Sequence, residues 1–119
     1  MVTAAIVLTL LSAAEHVYFF VLEAVLWQKP LGLKTFGMDK EKAATTAQLA
    51  VNQGFYNLFL AAGLLWAALG TPAASSMRLY TLGFVIAAAV VGGFTVSKRI
   101  LLIQGIPAAA ALACTLLAR

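Results

Sequence analysis

Apolar residues fill four long stretches of the chain, 2–27, 43–69, 77–96 and 100–118, and the polar positions gather mostly between them. Each stretch is long enough for a helix to cross about 30 Å of hydrocarbon. The first has no basic segment ahead of its apolar run and holds Glu15, His16 and Glu23, so it reads as a retained helix, not a cleavable signal peptide. Positions 28–42 collect Lys29, Pro30, Gly32, Lys34, Gly37, Asp39, Lys40, Glu41 and Lys42, the breaker and charge chemistry of one sizeable loop. Gly70, Thr71, Pro72, Ser75 and Ser76 predict a second connection. Ser97, Lys98 and Arg99 predict a third, so short that its flanking helices must be antiparallel neighbours. The expected architecture is all-α: a four-transmembrane-helix up-and-down bundle forming a single integral membrane domain over 1–119.

Composition strengthens that reading. The 119 residues are 63% hydrophobic and only 10% charged, against roughly 25% charged in a soluble domain. A single cysteine, Cys114, excludes an intramolecular disulfide framework and a cysteine-based zinc cluster. The net charge of +4 comes without basic residues interleaved with aromatics, so no nucleic-acid partner is expected. The partner is the lipid bilayer, and the basic residues report orientation. Lys29, Lys34, Lys40, Lys42, Lys98 and Arg99 flank one set of helix ends, whereas Arg78 and Arg119 flank the other. Because cytoplasmic loops retain Lys and Arg, both termini are predicted outside and Lys34 inside. Loop 28–42 is then placed to lie as an amphipathic segment against anionic lipid.

Polar groups within the apolar stretches carry the chemistry, since an ionisable side chain there costs a few kcal/mol or more unless paired or hydrated. Ser12, Glu15, His16, Phe19 and Glu23 fall within roughly one third of the first helix's circumference. The second helix presents a broader amide-rich face with Thr45, Gln48, Asn52, Gln53, Tyr56 and Asn57. Counting about 1.5 Å per residue from the loop puts Glu15 and His16 level with Tyr56 and Asn57, and puts Glu23 nearer the loop with Gln48 and Gln104. Two carboxylates beside one histidine cannot all be neutralised by pairing, so one is expected to be protonated or bathed in water. The plainer account of Gln53, Asn57, Thr95 and Thr115 is interhelical hydrogen bonding at about 0.6 kcal/mol each. His16 alone is more often the partner of a neighbouring carboxylate than a haem or metal ligand, so the cofactor is left unknown, with haem or metal at His16 the lesser alternative. Trp27 and Trp66, at helix ends, read as interfacial anchors. Gly92 and Gly93 permit close backbone approach, and Pro107 frees a carbonyl near Ile103 and Gln104.

Taken in order, Glu15-His16-Val17-Tyr18-Phe19-Phe20 with Leu22-Glu23 and Leu26-Trp27, then Asn52-Gln53-Gly54-Phe55-Tyr56-Asn57 with Leu60-Ala61-Ala62-Gly63, then Gly92 to Thr95 and Gln104-Gly105-Ile106-Pro107-Ala108, form a recognisable pattern. It resembles the small bacterial integral membrane proteins grouped as domain-of-unknown-function family 1304. The resemblance runs nearly end to end and implies a four-helix, multi-pass protein of the bacterial inner (plasma) membrane. It implies no activity.

Three functions compete. The favoured one is an intramembrane pocket binding a small lipophilic ligand, with acid/base chemistry of an isomerase kind. Glu15, His16 and Tyr56 would act on the ligand, and Glu23, Gln48, Asn52, Gln53, Asn57 and Gln104 would hold it. The second is a proton-coupled exporter in which cation and proton compete for Glu15. Four helices enclose little substrate volume, so it would work as a homodimer. The third is a structural helper subunit packing through Gly92, Gly93 and the alanine-rich last helix.

Overall fold

A computed structural model describes residues 1–70 and 74–119 of the chain. The described residues are helical, with no strand: α1 (Val2–Phe20) running into a π-helical turn (Val21–Val25), α2 (Pro30–Phe36), α3 (Lys40–Leu69), α4 (Ala74–Thr95) and α5 (Lys98–Leu117). Three of these helices, Val2–Val25, Ala74–Thr95 and Lys98–Leu117, are long and apolar enough to cross a membrane. α3, with 30 residues, spans about 45 Å, but its four amides, Gln48, Asn52, Gln53 and Asn57, lower its apolar character.

Helix ends differ from the sequence expectation in several places, two of them where a side-chain cap starts a helix early. α3 begins at Lys40, not at Ala43, because the Asp39 carboxylate accepts the Lys42 backbone N–H at 2.7 Å and Glu41 sits in the first turn. α5 begins at Lys98, not at Ile100, with Ser97 as its cap accepting the Arg99 N–H at 3.2 Å. α4 begins at Ala74, so Ser75 and Ser76 are helical and not connecting residues. The rest of that connection, Thr71 and Pro72, lies outside the described residues. Loop 28–42 contains α2: extended Lys29 precedes Pro30 at the first helical position, and Gly37 closes the helix at φ +62°. The first long helix ends in a π turn closed by Leu26 N–H to Val21 O at 2.9 Å, two residues short of the expected Trp27.

The chain divides into two compact units, residues 1–15 with 62–119, and residues 16–61. In the first unit α4 and α5 form an antiparallel hairpin packed through small residues. A Cβ on Gly92 would meet Ile100 Cγ2 at 2.8 Å and one on Gly93 would meet Leu101 Cβ at 2.9 Å, so this approach requires glycine. Among the buried apolar residues of this unit are Ala5, Leu64, Ala67, Leu82, Val85, Ala89, Ala108 and Ala111. α5 runs through Pro107 without a break. In the second unit the end of α1 runs antiparallel to α3: Trp27 meets Thr46, Ala24 meets Gly54 and Phe20 meets Phe55.

Candidate functional site

Glu23 stands in the π turn, where one extra residue in the helical circuit re-aims the side chains around it. Such turns recur at functional positions. The turn lies hard against α3, since a Cβ on Gly54 would fall 3.1 Å from both Ala24 N and Ala24 Cβ and 3.3 Å from Glu23 Cβ. At that approach Asn57 Nδ2 donates to Glu23 Oε1 at 2.7 Å, and the same amide donates to Gln53 O at 3.3 Å. Both amide hydrogens are engaged, while Glu23 Oε2 accepts no hydrogen bond among the described residues. Two ties hold the frame. Trp27 Nε1 donates to Thr46 Oγ1 at 3.0 Å, and Thr46 Oγ1 donates to Lys42 O at 2.7 Å. The Trp27 and Phe36 rings lie 4.7 Å apart, and Phe20 meets Phe55 edge-on at 5.2 Å. Trp27 is therefore pinned within this unit by its N–H and its ring.

The remaining candidates fall in both compact units. His16 is buried, edge-on to Phe19 at 5.4 Å. Glu15 is half-buried, and among the described residues its Oε2 atom is buried without a hydrogen-bond partner. Gln48, Asn52, Gln53 and Tyr56 lie on exposed positions of α3, Tyr56 at 64%. Gln104 is half-buried on α5. Among the described residues, no three His, Cys, Asp or Glu side chains group as a metal site. The structure thus joins Glu23 to Asn57, the residue that depth counting had set beside Glu15 and His16. The difference is one of register: Ala24 packs on Gly54, whereas counting from the loop sets position 24 level with about residue 46.

Arg78 was missed as an internal residue because the expected start of its helix, at position 77, made it a flanking charge. It is 8% exposed in the second turn of α4, and its Nε and Nη2 donate to Ala67 O at 3.1 and 2.9 Å. It caps a carbonyl that the end of α3 leaves unsatisfied. Beside it lies a cavity of about 310 Å³ lined by Val2, Ile6, Ala68, Gly70, Ala74, Ser75, Arg78, Thr115 and Ala118. None of those residues belongs to the sequence-derived candidate set.

The family described as "Protein of unknown function (DUF1304)" matches residues 10–116, which takes in Glu15, His16, Glu23, Asn57 and Arg78. The "Uncharacterized protein YpaA" of Lactococcus lactis subsp. lactis (strain IL1403) is 32% identical over 102 residues, covering 84% of this chain and 86% of the relative. No solved structure matches. By the extent of both matches, the chain belongs to the DUF1304 family.

Proposed function

We propose that this chain is a multi-pass protein of the bacterial inner membrane that binds a small lipophilic ligand beside Glu23 and Asn57 and exchanges a proton with it. In this reading all four long helices span the bilayer and both termini lie outside. Three apolar helices support the membrane setting, and the unequal distribution of Lys and Arg supports the orientation. The observation that carries the ligand reading is the Glu23 carboxyl, held through one oxygen by Asn57 with the other oxygen open to a donor. A carboxyl kept in an apolar segment has a functional role by default, and one fixed in position by an amide is suited to acid/base work. Glu15 and His16, adjacent on the same helix, supply the further proton-exchanging groups of this proposal. Tyr56, Gln48, Asn52 and Gln53 supply polar contacts to ligand or partner.

The test is mass spectrometry of organic extracts from the purified protein in detergent. A small lipophilic compound is expected from the parent and lost from Glu23→Gln and Asn57→Ala. Identical extracts from parent and variants would overturn the ligand reading.

One observation favours a second reading, the homodimeric exporter. Gln48, Asn52 and Tyr56 follow at i, i+4 and i+8 on α3 and all are exposed, so a bilayer would surround them unless a second copy covered them. Gln48→Leu with Asn52→Leu would then convert dimer to monomer in detergent, as read by light scattering, whereas an unchanged mass would remove this interface.

A further inference from the structure

We infer that the cavity beside Arg78 is a binding site for a phosphate group, separate from the Glu23 site. Arg78 is more than nine-tenths buried, yet two of its five N–H donors converge on a single carbonyl, Ala67 O. Among the described residues no carboxylate side chain pairs with it. A desolvated guanidinium without a counter-ion is costly in an apolar setting, and the missing term is an anion.

The cavity supplies the place for one. Its volume of about 310 Å³ is at the lower end of small-molecule sites, roughly 300–1,000 Å³. No acidic residue is among the residues that line it. Ser75, on its wall, accepts the Arg119 Nε–H at 3.3 Å, which brings a second guanidinium to the rim and leaves the Ser75 hydroxyl hydrogen to donate. Two guanidinium groups and a hydroxyl suit the several oxygens of a phosphate better than the two of a carboxylate. Val2, Ile6 and Ala68, which also line it, are apolar, as the glycerol and acyl portion of a phospholipid would require.

The same chemistry fits a lipid headgroup or free phosphate, and the experiment separates them. The full chain in neutral detergent is melted with inorganic phosphate, with phosphatidic acid, and with diacylglycerol of the same acyl chains. Stabilisation by phosphatidic acid alone identifies a lipid phosphate; stabilisation by inorganic phosphate as well identifies a site for the free ion. Arg119→Gln and Ser75→Ala, which leave the Arg78 cap in place, are each expected to weaken the response roughly tenfold, the worth of one charge-assisted hydrogen bond. Arg78→Lys keeps the charge but loses the fork and is expected to weaken it further. No stabilisation by either phosphate compound, equal stabilisation by diacylglycerol, or an unchanged response in both Arg119→Gln and Ser75→Ala would overturn the proposal.

Discussion

Asn57 Nδ2 reaches Glu23 Oε1 at 2.7 Å across 34 positions of sequence, the hydrogen bond that joins the π turn to the middle of α3. Truncating one partner leaves the other's polar atoms without it. Asn57→Ala is expected to lower stability by about 1–3 kcal/mol. The double variant Glu23→Leu with Asn57→Leu removes both polar groups and is expected to cost less than Asn57→Ala alone. Thermal melts of the purified chain in detergent read both, and a double variant weaker than the single one would deny the coupling.

Glycine substitutions should divide by what the new Cβ meets. At Gly54 it meets backbone, Ala24 N at 3.1 Å, and at Gly93 it meets Leu101 Cβ at 2.9 Å, neither of them the free end of a flexible side chain. At Gly83 nothing lies within 4 Å. Overpacking costs typically about 1–3 kcal/mol, whereas alanine in place of glycine gains roughly 1 kcal/mol of helix propensity. Gly54→Ala and Gly93→Ala are therefore expected to destabilise and Gly83→Ala to stabilise slightly. Gly54→Ala should also shift the Asn57 side-chain amide resonances, because it pushes the π turn away from α3. Equal melting temperatures for all three would contradict this packing.

The two tryptophans should respond differently to quenchers. Trp66 is 67% exposed, whereas Trp27 is half-buried, bonded to Thr46 and tilted against the Phe36 ring. In single-tryptophan proteins, Trp66→Phe and Trp27→Phe, brominated lipid and acrylamide together should quench Trp66 more strongly than Trp27. Thr46→Val should narrow the difference by releasing the indole. Equal accessibility in the two proteins would mean that the Trp27 ties are not held in solution.

How far the sequence could be read depends on the range of each interaction. The long helices are legible because apolar composition over some twenty residues outweighs any local detail. Their ends are less so. Ser75 and Ser76 look like turn residues yet belong to α4, and Asp39 looks like part of a loop yet starts α3. The Asp39 case turns on capping, which the same residue types serve as readily as turns. Glu23 and Asn57 are both legible as candidates, but their pairing is not, because it depends on the register of the π turn against α3, which counting from the loop misplaces. Arg78 shows the limit most clearly: an error of three residues in a helix start changed a buried cap into an apparent surface charge.

Glu15 offers the sharpest separation of packing from function. Its Oε2 atom is buried with no hydrogen-bond partner among the described residues, an arrangement that costs roughly 1–3 kcal/mol unless water or a ligand satisfies it. If nothing else meets that oxygen, Glu15→Leu removes the cost and is expected to raise the melting temperature by a few degrees, about what 1 kcal/mol does in a domain of this size. Glu15→Gln keeps a polar group of the same shape and should leave the melting temperature near that of the parent, while abolishing any proton exchange at this position. The comparison is made in detergent and again in native-lipid nanodiscs, where bound small molecules are retained. A Glu15→Leu protein more stable than the parent in detergent but less stable in nanodiscs places a ligand or ordered water on Oε2 in the membrane. A leucine variant destabilised equally in both settings would show that the carboxyl is already satisfied within the protein, and would remove Glu15 from the proton-exchanging groups of the proposed site.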